Sequence, residues 1–589
     1  MGSLSSASAQ SVGGAFQLSN LSDGTPVDGF SRNESVKAAS NHLRGLIKEE
    51  LVEDTPAFSD DSEQLLKFHG IYQQDDRDKR KEARAKGLDK HHQLMIRTRI
   101  PGGIVSPDAY LAHDDISARW ANGTLRVTTR QDFQLHGVLK GDLKKSIAAI
   151  NEALLTTLGG CGDVERNIMC CPEPRADRFH EQAHQAIAAM VGALTPRTRA
   201  YHEIWLDGEV VDSSEPEVEP LYGEQYLPRK FKTTVALEGD NCVDVYAHDL
   251  ALVAMRGDAG SVRGFNVLVG GGLGRTHNKP ETFVAVAQPM AFVEPDQVVD
   301  VAREVVAVQR DYGDRSNRKH ARLKYTIADR GLDWFRAEVQ RRLPFALQPP
   351  EPLRWEPVDD HLGWHDQGDG NLYVGVYIEN GRIADVDGVL SRTGLRKIVE
   401  EIRPQVRLTA QQNVILAGIT PARRPRVQEL LAEHGIAPVE SIPHAIRYAM
   451  ACPAIPTCGL AVAEAERVLP SLIRQIAAML DELGLAGERV SFRMSGCPNG
   501  CSRPYLGDVG FVGTTLGKYD VMLAGDFDGT RLNRVYAPNV PISDIPSLLR
   551  PIFIAFRSER RDGEGFGNWV ERIGFDALRL RTAVTEAIA

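Results

Sequence analysis

The second half of the chain repeats the first, and this internal repeat constrains the fold more than any other feature. Four segments recur in the same order, which favours an ancient duplication over the alternative of generic strand patterns. The pairs are residues 94–103 with 372–381 (offset 278), 125–137 with 406–418 and 166–172 with 447–453 (both offset 281), and 265–271 with 519–525 (offset 254). We expect the two copies to face each other across a pseudo-twofold axis.

The repeated unit mixes strand and helix patterns. Apolar and β-branched runs alternate with stretches such as 141–158 and 472–483, which carry apolar residues at the three- and four-residue spacing of a helix. Strands and helices mixed in this way predict an α+β fold built from packed layers.

Composition and charge limit the classes of function. Lys and Arg total 69 against 79 Asp and Glu, a net charge of −10, so we expect no nucleic-acid partner. No run of 18 apolar residues occurs, so no membrane partner is expected either. The first 22 residues are uncharged and the first arginine is Arg32, unlike a secretory signal or a transit peptide. We therefore expect a cytoplasmic protein.

The two copies have different residues at equivalent positions where only one copy is expected to be functional. The first copy is cationic where the second is neutral: Arg97, Arg99, Arg130 and His136 correspond to Gly375, Tyr377, Gln411 and Ala417. The second copy is rich in cysteine instead. Cys171 corresponds to Cys452, but no Cys-x-x-x-Cys motif follows it. One half is therefore expected to supply positive charge and the other thiolates, although Arg130 and His136 could also be ordinary sheet-face residues.

Four cysteines of the second copy lie in two short loops, Cys452 with Cys458 and Cys497 with Cys501. A [4Fe–4S] cluster needs four thiolates that approach from separate directions, which proline- and glycine-rich loops can provide. Structural zinc and simple buried thiols are the alternatives. Zinc motifs favour spacers of two to four residues, whereas five residues separate Cys452 from Cys458. The spacing therefore favours the cluster.

These motifs resemble the family of sulfite and nitrite reductases that hold a sirohaem coupled to a [4Fe–4S] cluster, with the sulfite reductase haemoproteins nearest. The resemblance covers about residues 68–575 and includes the duplication; its other motifs are residues 69–75, 97–99, 129–134, 227–232 and 269–273. It implies two ferredoxin-like half-domains and two larger α/β sirohaem-binding domains. The expected boundaries are an N-terminal extension over 1–67, disordered at least to about residue 30, a first half-domain over 68–162, a cationic sirohaem and substrate domain over 163–349, a second half-domain over 350–425, and a [4Fe–4S] and sirohaem domain over 426–589.

The resemblance also implies a role for each site residue. Cys452, Cys458, Cys497 and Cys501 would bind the cluster, and Cys501 would also bridge to the sirohaem iron. Arg97, Arg166, Lys230 and Lys232 would surround the substrate on the open face of that iron. Arg99, Arg130, Gln134, His136 and Asn499 would hold the macrocycle and its carboxylates. On the sequence alone, Lys230 and Lys232 could equally point to solvent, since lysines are mostly exposed.

The implied function is the six-electron reduction of sulfite to sulfide. A nitrite reductase that makes ammonia is one alternative, and a non-enzymatic iron–sulfur sensor is an alternative from another class. Related nitrite reductases tend to replace the second lysine of Lys-x-Lys, so Lys232 favours sulfite, with nitrite as a side substrate.

The electron donor is left open between an NADPH-dependent flavoprotein and a ferredoxin. The basic run 77–90 could dock an acidic ferredoxin, or it could be a solvated loop. Some relatives join a tyrosine and a cysteine by a thioether near the site, and Tyr72 and Cys161 are the candidates here. Cys161 could instead be a buried free thiol.

Overall fold

The computed structural model describes residues 29–197, 204–206, 209–212, 219–357 and 359–588. The expected disorder of the tail up to about residue 30 lies almost wholly outside the described residues. Within the described part, no helix combines the length and the apolar character that crossing a membrane requires.

Helices and strands alternate along the chain, as the repeat pattern predicts. The helices are α1 Arg32–Ala38, α2 Ile47–Val52, α3 Asp60–Leu66, α4 Arg80–Ala85, α5 Pro107–Trp120, α6 Leu143–Glu152, α7 Arg178–Leu194, α8 Val298–Tyr312, α9 Leu323–Arg330, α10 Leu332–Arg342, α11 Ser391–Ile402, α12 Arg424–Glu433, α13 His444–Arg447, α14 Leu469–Glu482, α15 Ile545–Glu559, α16 Phe566–Ile573 and α17 Phe575–Ile588. The strands are β1 Ile71–Asp75, β2 His92–Arg97, β3 Ile104–Val105, β4 Leu125–Val127, β5 Phe133–Val138, β6 Met169–Cys170, β7 Ile204–Leu206, β8 Glu209–Asp212, β9 Thr233–Leu237, β10 Leu250–Arg256, β11 Val262–Val269, β12 Gln288–Val293, β13 Gly363–Asp366, β14 Leu372–Val376, β15 Arg382–Ile383, β16 Asp385–Val386, β17 Val389–Leu390, β18 Gln405–Leu408, β19 Val414–Ile419, β20 Ala449–Ala451, β21 Phe492–Ser495, β22 Val509–Thr515, β23 Lys518–Leu523 and β24 Arg534–Pro541.

One predicted helix is shorter than the sequence pattern suggested. The pattern over 141–158 yields α6, which ends at Glu152 because Leu154 takes a left-handed φ of 59°. A non-glycine residue in that conformation ends the helical run.

Five-stranded sheets occur in two matched pairs. The smaller sheets have the orders β1-β2-β5-β4-β15 and β13-β14-β19-β18-β3. The larger sheets have the orders β12-β11-β10-β9-β6 and β24-β23-β22-β21-β20. Each smaller sheet takes its last strand from the other half of the chain, since β15 pairs with β4 and β3 pairs with β18. This reciprocal exchange joins the two half-domains.

Strand registers confirm the duplication independently of residue identity. In the first copy Leu94 pairs with Val138, and in the second Leu372 pairs with Ile419. These positions differ by 278 and 281, the offsets found in the sequence. The offset of 254 is confirmed in the same way by the larger sheets, where Val269 and Leu523 occupy equivalent register positions.

The apolar side chains form three main cores that follow this plan. One core is shared by both half-domains and includes Leu94 and Val127 from one, and Val376 and Val414 from the other. Each larger sheet has a core of its own. In the first of these, α8 buries valines spaced three and four residues apart, as an amphipathic helix does, and packs on α7 and α10. The predicted domain boundaries stay predictions.

The first described residues pack onto the first large domain. In α1, Lys37 lies in the protein interior and pairs with Glu34 at 2.6 Å. Arg315 also pairs with Glu34, at 2.5 Å, and Lys37 lies 3.9 Å from Asp163. These buried ion pairs hold α1 next to the loop that contains Cys161.

Candidate active site

The four cysteines meet because two neighbouring strands end at the same edge of a sheet. Cys452 follows β20, and Cys497 and Cys501 follow β21, which runs parallel to it. The carboxyl ends of parallel strands meet at one edge, where open α/β sheets bind ligands. The Cys452 sulfur accepts a hydrogen bond from the Gly496 backbone N–H at 3.3 Å, so the two loops are in direct contact.

Two glycines allow this approach for different reasons. A Cβ on Gly496 would lie 2.4 Å from the carbonyl oxygen of Ala463, so the position has no room for a side chain. Gly500 has a φ of +64°, and a Cβ there would lie 2.7 Å from the ring of Tyr505. Only glycine meets both the conformational and the spatial requirement at residue 500.

The thiols lie where deprotonation is costly without a positive ion. Burial raises the pKa of Cys497 to about 12, and the neighbouring Cys501 adds to the rise. Burial and Cys501 also raise the pKa values of Cys452 and Cys458. A cationic iron centre that takes the place of the protons would relieve this cost. The donor set therefore fits the predicted cluster.

A cationic pocket opens beside the exposed Cys501. The two halves of the chain form it together, and none of its described lining residues is acidic. The lining consists of Thr129, Arg130, Lys230, Lys232, Ala247, His248, Leu273, Gly274, Arg322, Asn499, Gly500, Cys501 and Arg503. The predicted Arg130, Lys230, Lys232, Asn499 and Cys501 are thus brought together.

Two of the five cations that line the pocket form ion pairs with buried carboxylates. Arg322 pairs with Asp249 at 2.5 Å, and Arg503 pairs with Asp244 at 2.5 Å. Arg130, Lys230 and Lys232 form no ion pair within the part of the chain that the structure describes. Three cations without an ion-pair partner in one pocket favour a polyanionic occupant.

The lysines are therefore poised to lose or share a proton. Burial lowers the pKa of Lys230 well below its usual value, and Arg229 and Arg322 lower it further. Burial lowers the pKa of Lys232 in the same way, with Lys230 and Arg130 adding to the effect. An anion placed between them would restore their charge.

Buried guanidinium nitrogens give a second sign of an anionic occupant. Among the described residues, Nε and Nη2 of Arg99, Nε and Nη1 of Arg130, and Nδ1 of His136 are buried without a hydrogen-bond partner. Nearly all buried polar groups are satisfied in folded proteins. The carboxylates of a sirohaem would supply acceptors for these nitrogens, so the residues present fit that cofactor.

The remaining predicted cations are held by a glycine-rich loop over 159–163. Arg166 donates from Nε and Nη2 to the Gly162 carbonyl oxygen at 3.0 and 2.9 Å. Nη1 of Arg97 lies 3.5 Å from the Gly160 carbonyl oxygen. With its amide oxygen turned toward Arg97, Gln134 accepts from Nη2 at 2.5 Å. Gln134 is therefore placed to orient Arg97, and its predicted contact with the macrocycle stays a prediction.

Tyr72 and Cys161 lie close to these arginines. Burial raises the pKa of Tyr72 and the neighbouring Cys161 adds to the rise, while Arg166 and Arg97 oppose it. The thiol of Cys161 is fully buried. Their closeness is compatible with the predicted thioether, which stays a prediction.

Comparisons with known proteins match this organisation over nearly the whole chain. Residues 188–347 and 445–586 match the nitrite and sulphite reductase 4Fe-4S domain. Residues 86–153 and 365–434 match the nitrite/sulfite reductase ferredoxin-like half domain. The chain belongs to the nitrite and sulfite reductase family. This membership confirms the predicted family, the duplicated α+β fold and the two cofactors, a sirohaem and a [4Fe–4S] cluster.

Similar proteins of this family carry two kinds of name. A protein named sulfite reductase (NADPH) hemoprotein beta-component, from Methylobacterium nodulans, is 46% identical over 95% of this chain and 94% of its own length. A protein named sulfite reductase (ferredoxin), from Synechococcus elongatus, is 45% identical over 93% of this chain and 90% of its own. The solved structure of the Mycobacterium tuberculosis NirA protein shares the fold, with a TM-score of 0.77, 24% identity and coverage of 94% and 98%.

Several charged residues of the candidate active site were not predicted from the sequence. Arg322 and Arg503 line the pocket, and Arg126 is a neighbour of Cys452 that pairs with Glu466. Arg503 stands two residues after Cys501, so its position next to the motif was a usable signal. Nothing local marks Arg322, which reaches the pocket only because α9 packs behind it.

Proposed function

We propose that this chain reduces sulfite to sulfide with six electrons, and that Cys501 would help to hold both the sirohaem and the [4Fe–4S] cluster that supply them. The observation that carries the proposal is the convergence of Arg130, Lys230 and Lys232, none of which has an ion-pair partner among the described residues, on a pocket whose wall contains Cys501. The names of the similar proteins support sulfite as the substrate. An iron–sulfur sensor would need the cysteines but not this group of unpaired cations.

The proposed cofactors supply electrons one at a time and an iron atom at which sulfite can bind. The chain's own part is to hold and protonate the substrate. Lys230 and Lys232 would bind the sulfite oxygens, joined by Arg97 and Arg166, which the 159–163 loop holds. A guanidinium can bind two oxygens at once, whereas an ammonium can move as the anion shrinks.

Protons must reach the substrate oxygens before they can leave as water. An ammonium whose pKa is lowered is a stronger acid, so the burial of Lys230 and Lys232 favours proton donation. Their positive charge would also stabilise the negative charge that develops as electrons arrive. Keeping Lys232 favours sulfite over nitrite, because sulfite carries the higher charge.

For the electron donor, we propose an acidic protein that docks on the basic segment 77–90. This segment lies against the cluster loop: Nη1 of Arg77 donates to the carbonyl oxygens of Cys458 at 3.0 Å and Ala461 at 2.6 Å. Lys81, Arg84 and Lys86 beside it are exposed. A docked donor would therefore be near the cluster. A ferredoxin and an NADPH-dependent flavoprotein both remain donor classes of this proposal.

A cytoplasmic location is part of the same proposal. None of the eight cysteines forms a disulfide in the structure, which suits a reducing compartment.

The deciding experiment supplies sulfite to the purified protein with reduced ferredoxin, or with NADPH and a flavoprotein, and measures sulfide. Turnover with one donor and not with the other assigns the donor. A Lys81→Glu and Arg84→Glu double variant should raise the KM for that donor and leave the KM for sulfite unchanged. Absence of sulfide with both donors, in protein that contains its sirohaem, would contradict the proposed function.

A further inference from the structure

A second group of metal-ligating side chains, three from the first copy and one from the second half-domain, lies outside the pocket beside Cys501. It consists of Cys171, Asp240, Cys242 and His361, and their ligand atoms all lie within 4.8 Å of one another. Cys171, Cys242 and His361 are buried. From this group the geometry points to a mononuclear zinc site with two thiolate ligands, one imidazole ligand and one carboxylate ligand.

The distances suit a single tetrahedral ion. The Cys171 sulfur lies 3.0 Å from Asp240 Oδ2 and 3.5 Å from His361 Nε2, and those two atoms are 3.1 Å apart. With zinc bonds of about 2.3 Å to sulfur and 2.0 Å to nitrogen or oxygen, ligand atoms at tetrahedral corners stand roughly 3.3–3.8 Å apart. Small shifts of these side chains would complete the site.

The two cysteines of this group occupy positions equivalent to two of the cluster cysteines. Thr233 pairs with Leu250, and Phe492 pairs with Val509, so residues 233–250 correspond to 492–509 at an offset of 259. Cys242 is therefore the counterpart of Cys501, as Cys171 is of Cys452. The change of offset from 281 to 259 hides this second match in a simple sequence comparison.

Two of the four cluster positions have lost their thiols in the first copy. The counterparts of Cys458 and Cys497 are Asp177 and Glu238, while Asp240 stands where the second copy has Asn499. Two thiolates cannot hold a [4Fe–4S] cluster, which needs four ligands. With His361 and Asp240 added, the same edge of the sheet has the four ligands that one zinc ion requires.

The backbone around the ligands is arranged to hold them. Asp360 and His361 take left-handed φ values of 52° and 55°, which are uncommon for residues other than glycine. Asp360 Oδ2 accepts from Thr409 Oγ1 at 2.7 Å and from Asn413 Nδ2 at 2.8 Å, fixing the residue before His361. The Cys242 backbone N–H donates to Asp240 Oδ1 at 2.7 Å, which leaves Oδ2 for an ion. Such supporting bonds are typical around metal ligands.

An ion also has a route to the ligands. Cys242 and Asp360 form part of the wall of a surface pocket that includes Arg447, Tyr448 and Arg493. By the same offsets, Arg447 is the counterpart of Arg166. This pocket is therefore the counterpart of the one beside Cys501, with a different occupant beneath it.

The test measures zinc and iron together in the purified holoenzyme after dialysis against free Zn²⁺ and then against metal-free buffer. We expect one zinc per chain in addition to the cluster and sirohaem iron. Zinc-edge X-ray absorption should show two sulfur neighbours at about 2.3 Å and two nitrogen or oxygen neighbours at about 2.0–2.1 Å. Iron absorbs at a different edge, so the result does not depend on the proposed function.

Variants separate this site from adventitious binding. Cys242→Ser and Asp240→Asn should each lower the zinc content at least tenfold with the iron content unchanged, whereas Cys170→Ser, at the neighbouring buried cysteine, should keep it. Zinc below one tenth per chain in the intact wild-type holoenzyme would overturn the proposal. So would zinc retained by Cys242→Ser, or a Cys171–Cys242 disulfide found by peptide mass spectrometry. If the variants also lose iron, the zinc-edge X-ray absorption spectrum of the wild-type holoenzyme shows whether zinc has the predicted ligands.

Discussion

Replacement of Glu466 by glutamine is the sharpest test of how the two half-domains hold the cluster loop. The Glu466 carboxylate bridges Arg126 of β4 and Arg382 of β15, the two strands joined by the exchange; its Oε1 lies 2.7 Å from Arg382 Nε. The Glu466 backbone N–H also donates to the Cys452 carbonyl oxygen at 3.1 Å. Glu466→Gln keeps the size of the side chain but leaves Arg126, which is 1% exposed, without a counter-charge.

The expected cost follows from this burial. Removing one partner of a buried ion pair costs about 3–5 kcal/mol, and the lower end applies because Glu466 keeps some exposure and glutamine keeps an acceptor oxygen. At roughly 2.1 cal/mol/K per residue, cooperative unfolding of the whole chain turns 3 kcal/mol into a fall in Tm of about 2–3 °C. Unfolding of one half alone would about double that fall.

The pH dependence of the stability provides a second test of the Glu466 ion pairs. Arg126 and Arg382 outweigh the effect of burial and lower the pKa of Glu466. A carboxylate with a lowered pKa contributes stability above its unfolded pKa, which is about 4.3, and loses that contribution as the pH falls through the folded value. The difference in Tm between wild type and Glu466→Gln should therefore be full at pH 7 and shrink as the pH falls below about 4.

Calorimetry of the holoenzyme measures both effects. The matched control is Glu464→Gln in the same loop, because Glu464 pairs with Arg467 at a partly exposed site. Such a pair is worth about 0–1 kcal/mol, so the control should change Tm by less than about 1 °C. Equal Tm values for Glu466→Gln and Glu464→Gln at pH 7 would refute the reasoning, as would a difference that does not shrink in acid.

Three further predictions concern the site. Lys232→Asn should reduce kcat/KM more for sulfite than for nitrite, and equal losses in steady-state assays would remove the argument for substrate choice. Arg130→Met removes two unpartnered donors, each worth about 1.5–3 kcal/mol to a charged acceptor; tetrapyrrole should be held at least about 100-fold more weakly, and full retention after gel filtration would contradict this. Gly500→Ala should lower cluster iron, because its φ of +64° and the Tyr505 ring leave no place for a Cβ, whereas Gly517→Ala, at φ +73° in open space, should not. Equal iron contents in the Gly500→Ala and Gly517→Ala proteins would contradict a role of this steric clash in cluster binding.

Local patterns made much of the fold predictable. The repeat offsets agree with the strand registers because equivalent strands keep their apolar alternation after duplication. The cysteine loops were predictable because their spacing is short and their glycines and prolines are local signals. The parallel pairing of β20 with β21, which brings the two loops together, was not predicted.

Long-range pairing was not predictable in the same way. The exchange of β3 and β15 joins strands from opposite halves, and two-residue strands leave almost no pattern in a sequence. Arg322 and Asp249 are far apart in sequence and meet only through packing. The match of Cys242 to Cys501 was hidden because the length of chain between equivalent strands differs in the two copies.

Sulfite reduction at this site is tested most directly by counting electrons in the absence of the protein donor. The purified holoenzyme would receive electrons from reduced methyl viologen with sulfite in excess, and sulfide would be measured against viologen oxidised. We expect one sulfide for every six electrons, and no sulfide from Cys501→Ser. Sulfide formation by Cys501→Ser at the wild-type rate, or no sulfide from wild-type protein with its sirohaem and cluster intact, would contradict this expectation.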